Sequence, residues 1–227
     1  MKKLLIVGPG NSIKDLSPEY IKNYQTISFS DSIKWFIENN IPPTYYTFLD
    51  PDSIMRVKDN INDEFLIKLK NKTTFIYNKF QGNSDFYKER FSTSRGPTWN
   101  NNTFGKDILP DFENYFKEVK TIPYIISNTY NISSSSHCIM HNPPLNICKF
   151  SCYILPMIPY LFPDVKLIES IGFGDYNSPR MYSNSTGGYS SYKESFNLVS
   201  NTLKEYLIKH NINIKFLNKD SYYKSLE

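Results

Sequence analysis

Short runs of aliphatic, β-branched and aromatic residues recur along the amino-terminal third of the chain. They occupy residues 4–7, 26–30, 45–49 and 73–77, and the first three are followed by glycine, serine or aspartate and then by a segment with helical spacing. Such alternation is typical of buried parallel strands joined by crossover helices. The pattern therefore predicts repeated β–turn–α units that build a Rossmann-like α/β fold, with a mainly parallel sheet flanked by helices.

The pattern changes between about residues 80 and 144, where Asn, Ser, Gly and Pro are frequent. We expect an inserted lid here with two short strands, at 118–122 and 124–126, because long loops in compact domains are usually functional or disordered. An apolar helical stretch at 145–161, a strand at 166–171, an amphipathic helix at 192–210 and a strand at 213–217 complete the prediction. The whole chain, 1–227, is predicted to be one domain with an active-site loop at about 177–191.

Polar residues and glycines follow several of these strands directly. Because the carboxyl ends of parallel strands meet at one edge of a sheet, this edge is the expected ligand site. A glycine turn there allows backbone N–H groups to approach a phosphate closely, although tight turns and helix caps alone would also explain the pattern. The residues predicted to line a nucleotide are Gly8, Gly10, Asn11, Ser12, Asp31 and Asp50.

The opening Met-Lys-Lys-Leu-Leu-Ile-Val-Gly-Pro-Gly-Asn-Ser resembles the start of the bacterial sialyltransferases of glycosyltransferase family 42. It is also similar to the related motility-associated glycosyltransferases and pterin-diphosphokinase-like proteins. The segment Gly-Phe-Gly-Asp-Tyr that ends at Tyr176, with Tyr182 six residues later, resembles a sialyltransferase segment with two tyrosines. The resemblance covers about residues 1–55 and 145–217. It implies a Rossmann-like fold of the GT-A-variant kind and transfer of a sugar from a nucleotide-activated donor, CMP-linked in those enzymes, to an acceptor hydroxyl.

In that family the two tyrosines hydrogen-bond the departing phosphate, a role that the resemblance assigns to Tyr176 and Tyr182. Neutral O–H donors can do this without a metal, and Arg180 could add a charge-assisted bond. The family's catalytic histidine, which precedes the last helix, is missing, since residues 186–192 read Thr-Gly-Gly-Tyr-Ser-Ser-Tyr. The candidate bases are instead Asp50, Asp175, His137 and His141.

Two other functions remain open from the sequence. Asp50 and Asp52 offer carboxylate oxygens on one turn and could hold Mg²⁺ for transfer of a diphosphate or nucleotidyl group. A non-catalytic module that binds a nucleotide or glycan would explain the missing histidine. The favoured metal-independent sugar transfer needs no cofactor.

Composition and charge bear on the partners and the cellular compartment of the protein. The chain carries 26 Lys and Arg against 22 Asp and Glu, a formal charge of +4 that is typical of a solvated surface. A DNA acceptor and a homo-oligomer remain open.

The sequence has no apolar stretch near the ~20 residues of a membrane span. The odd number of cysteines, Cys138, Cys148 and Cys152, favours a reducing compartment. Their spacing is not that of a typical structural zinc site, so we expect no zinc there. The chain contains no alanine, which is typical of an AT-rich coding sequence from a low-GC bacterium, a large DNA virus or a phage. We expect a cytoplasmic protein, in the host cytoplasm if the source is viral.

Overall fold

The computed structural model describes residues 3–48, 52–55, 57–78, 108–127, 138–140, 154–174, 181 and 189–227. Every pairing among the described strands is parallel, and the strand order is β6-β5-β4-β3-β2-β1-β7-β8. Seven strands form one sheet, and β6 extends it by pairing with the second half of β5. This confirms the predicted Rossmann-like α/β fold. The strands are β1 (Lys3–Val7), β2 (Gln25–Phe29), β3 (Tyr45–Phe48), β4 (Thr74–Asn78), β5 (Lys120–Ser127), β6 (Cys138–Met140), β7 (Leu167–Ile171) and β8 (Asn213–Phe216).

Helices lie between successive strands from β1 to β5 and from β6 to β8, and the first of them illustrates how the sequence begins a helix. Ser17 caps its amino terminus by accepting a hydrogen bond from the backbone N–H of Tyr20, and proline occupies the first helical position. The helices are α1 (Pro18–Ile21), α2 (Ile33–Glu38), α3 (Asp52–Met55), α4 (Asp63–Lys72), α5 (Ile108–Tyr115), α6 (Leu155–Leu161) and α7 (Tyr189–Lys209), with short 3₁₀ helices at Asn11–Asp15, Ser30–Ser32, Lys58–Asn60 and Tyr222–Leu226.

The strand order reverses at β1. Val7 at the end of β1 lies beside Ser28 of β2 on one side and beside Ile171 of β7 on the other. Crossover connections in parallel sheets are right-handed, so chains that leave in opposite directions must cover opposite faces of the sheet. A crevice at the carboxyl ends of the two diverging strands is where ligands bind in open sheets of this kind.

Two hydrophobic cores, one on each face of the sheet, follow from this arrangement. Successive side chains of β1 alternate between them, since Leu4 and Ile6 belong to one core and Leu5 and Val7 to the other. The first core contains buried residues of α6 and α7, and the second contains buried residues of α1, α2, α4 and α5. Both faces of the central strand are therefore closed to water.

Two boundaries differ from the prediction. The short strands expected at 118–122 and 124–126 are one strand, β5, which lies with α5 and β6 in the stretch predicted as a lid. Pro123, which lacks a backbone N–H, lies between the two predicted strands. The strand continues because it changes partner near this point, pairing with β4 as far as Tyr124 and with β6 from Ile125. Helix α7 also begins at Tyr189, inside the predicted active-site loop.

Helix α4 provides a matched test of the second core. Leu69 is fully buried, whereas the side chain of Ile67 on the same helix is 57% exposed. We expect Leu69→Ala to lower the free energy of unfolding by about 2–5 kcal/mol, because it leaves a cavity in the core. Ile67→Ala should change it by less than about 0.5 kcal/mol. Urea unfolding of both variants measures the difference, and equal losses would contradict the assigned faces of the helix.

Candidate site at the carboxyl edge of the sheet

The turns that follow β1 and β7 are joined by backbone hydrogen bonds. The N–H of Gly8 donates to the carbonyl oxygen of Ile171 at 2.8 Å, and the N–H of Gly10 donates to that of Gly172 at 2.8 Å. The hydroxyl oxygen of Ser12 accepts a hydrogen bond of 3.1 Å from the N–H of Gly172. The two turns therefore form one unit at the point where the strand order reverses.

Only glycine fits where these turns touch. A Cβ atom on Gly8 would lie 2.5 Å from the carbonyl oxygen of Gly172, and one on Gly172 would overlap the carbonyl oxygen of Gly8. Gly172 also has a φ of +79°, in the left-handed region that side chains disfavour. The glycines were predicted to let N–H groups approach a phosphate. The structure shows that the N–H groups of Gly8 and Gly10 donate within the protein.

A buried hydroxyl network connects the ends of β1 and β2. The Ser32 hydroxyl lies 2.7 Å from the carbonyl oxygen of Val7 and accepts a 2.9 Å hydrogen bond from the N–H of Phe29. The hydroxyl of Ser28, also fully buried, lies 2.9 Å from that of Ser32. Because buried polar groups are costly unless paired, this network fixes the turn after β2 against β1.

Asp31 follows β2 in this fixed turn. The residue before it, Ser30, has a φ of +54°, which is uncommon outside glycine, and its carbonyl oxygen accepts a 3.1 Å hydrogen bond from the buried hydroxyl of Tyr46. Asp31 is half-buried and lies at the same edge as the turn after β1. In doubly wound sheets an acidic residue at this place can hold the ribose of a nucleotide.

The structure brings five of the predicted site residues to one edge of the sheet, namely Gly8, Gly10, Asn11, Ser12 and Asp31. Met181, half-buried, also belongs to this edge, since its N–H donates to the carbonyl oxygen of Pro9 at 3.2 Å. The side chains of the remaining candidates lie outside the described part of the chain: Asp50, Asp52, His137, His141, Asp175, Tyr176, Arg180 and Tyr182, together with Cys138, Cys148 and Cys152.

A polar cluster on β7 was not found from the sequence. The hydroxyls of Tyr20 and Tyr24 both donate to Oε2 of Glu169, at 2.5 and 2.6 Å. Burial raises the pKa of both tyrosines, and the hydrogen bonds to Glu169 raise these pKa values further. The four-residue spacing of the tyrosines was the available signal, but Glu169 is far away along the chain. The cluster fastens α1 and the residues after it to β7.

Neither a family model nor a curated protein matches the sequence. Within the described ranges, no three His, Cys, Asp or Glu residues form a group that could hold a metal ion. The described helices include none with the length and apolar character needed to cross a membrane. The case for function therefore depends on the geometry of the sheet edge.

The hydroxyl network gives a direct test of how the edge is built. Ser32→Ala removes the hydroxyl that lies against Val7 and Phe29, so buried backbone groups lose a partner. We expect a loss of about 1–3 kcal/mol in the free energy of unfolding, measured by chemical denaturation. Ser200→Ala is the control, since the Ser200 hydroxyl donates an exposed hydrogen bond to the carbonyl oxygen of Asn197 in its own helix, and a change within about 0.5 kcal/mol is expected. Similar losses in both variants would contradict the importance of the network.

Proposed function

We propose that this chain is a cytoplasmic glycosyltransferase, similar to the family 42 sialyltransferases, that moves a sugar from a nucleotide-activated donor to an acceptor hydroxyl. The observation that best supports the proposal is the hydrogen bond between Met181 and Pro9. Met181 is the chain neighbour of Arg180 and Tyr182, and Pro9 belongs to the glycine turn after β1. The segment that supplies two of the predicted phosphate contacts is thereby tied to the turn predicted to line the nucleotide.

Asp31 is the residue through which the described edge would recognise the donor. Its carboxylate can accept hydrogen bonds from the hydroxyls of a ribose, as acidic residues after the second strand do in nucleotide-binding sheets. The left-handed Ser30 and the hydrogen bond from Tyr46 fix the backbone from which this carboxylate extends. A rigid position matters because an ordered carboxylate loses little conformational entropy when it binds.

The transfer step needs donors to the departing phosphate and a base for the acceptor. In the proposal, the phenols of Tyr176 and Tyr182 donate to the phosphate as its charge develops, and Arg180 adds a charge-assisted bond. One of the four candidate bases, Asp50, Asp175, His137 or His141, takes the proton from the acceptor hydroxyl. The acceptor oxygen then forms the new bond to the sugar, and the bond from the sugar to the phosphate breaks with its electrons on the nucleotide.

A nucleotide screen tests the proposal. We expect CMP, UDP, GDP or ATP to raise the thermal unfolding temperature, with a stabilisation of about 2.7 kcal/mol at a hundredfold excess over Kd. A protein that responds to none of the four nucleotides would refute the proposal.

Turnover of a sugar donor that persists in EDTA would separate the proposal from Mg²⁺-dependent transfer at Asp50 and Asp52. A binder without turnover would point to a non-catalytic module.

Asp31→Asn tests the predicted ribose contact. With CMP as the probe, we expect the variant to bind about ten- to a hundredfold more weakly, as for loss of a hydrogen bond to a charged group, and to lose any preference for CMP over dCMP. Asp164→Asn is the control, because Asp164 is exposed and precedes β7 at the opposite edge of the sheet. Isothermal titration calorimetry measures both variants, and unchanged discrimination in Asp31→Asn would remove Asp31 from the site.

A further inference from the structure

The segment that follows β8 holds the turn after β7. Residues 218–226, here called the β8 strap, contain the 3₁₀ helix Tyr222–Leu226. The side-chain amide of Asn218 and the hydroxyl of Ser221 each donate to the carbonyl oxygen of Phe173 at 2.8 Å. The N–H of Tyr222 donates to the carbonyl oxygen of Gly174 at 3.3 Å. Two successive carbonyl groups of the turn are therefore fixed by one segment.

The strap is itself anchored in the hydrophobic core, so it can resist movement of the turn. Tyr223 is fully buried, and its ring packs against Phe196 of α7, with centroids 4.5 Å apart, and against Phe216 of β8 at 5.6 Å. Leu226 at the end of the 3₁₀ helix is also buried. Displacing the strap would expose these apolar side chains to water.

Gly174 allows the strap to lie this close. It has a φ of +68°, and a Cβ atom there would lie 2.7 Å from the hydroxyl oxygen of Ser221 and 2.8 Å from the ring of Tyr223. The peptide bond between Phe173 and Gly174 is trans, so its N–H points opposite to its carbonyl group. Because the carbonyl group faces the strap, the N–H of Gly174 is directed away from it. The strap thus sets the direction of a backbone donor in the turn.

We propose that Asn218 and Ser221 are positioning residues that orient the turn after β7 toward the phosphate group of the bound nucleotide. The inference rests on the proposed function, because it needs a phosphate at this edge. Neither residue touches the ligand. They act through the Phe173 carbonyl group, which fixes the direction of the Gly174 N–H. Tyr176, a predicted phosphate contact, follows Gly174 by two positions in the sequence. An orienting role of this kind predicts an effect on ligand affinity beyond any effect on stability.

Ser221→Ala and Thr73→Val form a matched pair for the test. Each removes a buried hydroxyl that donates to a backbone carbonyl group, Ser221 at the turn after β7 and Thr73 to Pro43 at the opposite edge of the sheet. Both variants should lose stability, and Ser221→Ala should lose more, because the Ser221 hydroxyl also caps the 3₁₀ helix by accepting a hydrogen bond from the N–H of Tyr223. We expect only Ser221→Ala to weaken CMP binding, by about three- to tenfold, and to accelerate amide hydrogen exchange at residues 172–174. Asn218→Ala should behave like Ser221→Ala and serves as a second variant if Ser221→Ala does not fold.

The two readouts separate the inference from the proposed function. If Ser221→Ala and Asn218→Ala match Thr73→Val in both CMP affinity and exchange at residues 172–174, the positioning role is wrong. If the wild-type protein binds CMP, and the two variants exchange faster at residues 172–174 but keep the wild-type affinity for CMP, the link between the turn and the phosphate is wrong. If the wild-type protein binds none of CMP, UDP, GDP and ATP, the proposed function fails, and the exchange comparison alone decides whether the strap orients the turn.

Discussion

The contact between Gly8 and Gly172 is the constraint on which the candidate site depends. The turns after β1 and β7 approach so closely that neither position has room for a Cβ atom, and two backbone hydrogen bonds close the contact. Strand order reverses at this place, so the chain leaves the two turns toward opposite faces of the sheet. Any larger residue at either position would push apart the two strands that define the edge.

Two further sets of hydrogen bonds support this contact from either side. On the β2 side, the Ser32 hydroxyl holds the end of β1, and Tyr46 holds the carbonyl group of Ser30. On the β7 side, Ser221 and its partner Asn218 hold the carbonyl group of Phe173. In each case a buried side chain fixes a backbone carbonyl group of a turn. Such fixed turns are what a preorganised binding site requires, because ligand binding then costs little ordering of the protein.

The sequence predicts the sheet better than the site. The periodic apolar runs and the Ser17 cap identify the early β–turn–α units because these signals are local. The continuity of β5 was missed, since the change of strand partner that accompanies it depends on distant residues. The roles of Ser221 and Ser32 were missed for the same reason, as Ser221 lies 48 positions from Phe173 and Ser32 lies 25 from Val7. For Gly8, the sequence predicted a close backbone approach to a phosphate, whereas the close partner in the structure is the turn after β7.

A nucleotide bound at the reversal point of the sheet is the central claim, and backbone NMR tests it most directly. In a titration of isotope-labelled protein with CMP, the account predicts that the largest amide shift changes occur at Asn11, Ser12, Asp31 and Gly174. Amides at the opposite edge, such as those of Thr44 and Asp164, should not respond. Changes concentrated at that opposite edge, or saturating CMP without any change at the turns after β1, β2 and β7, would contradict the account.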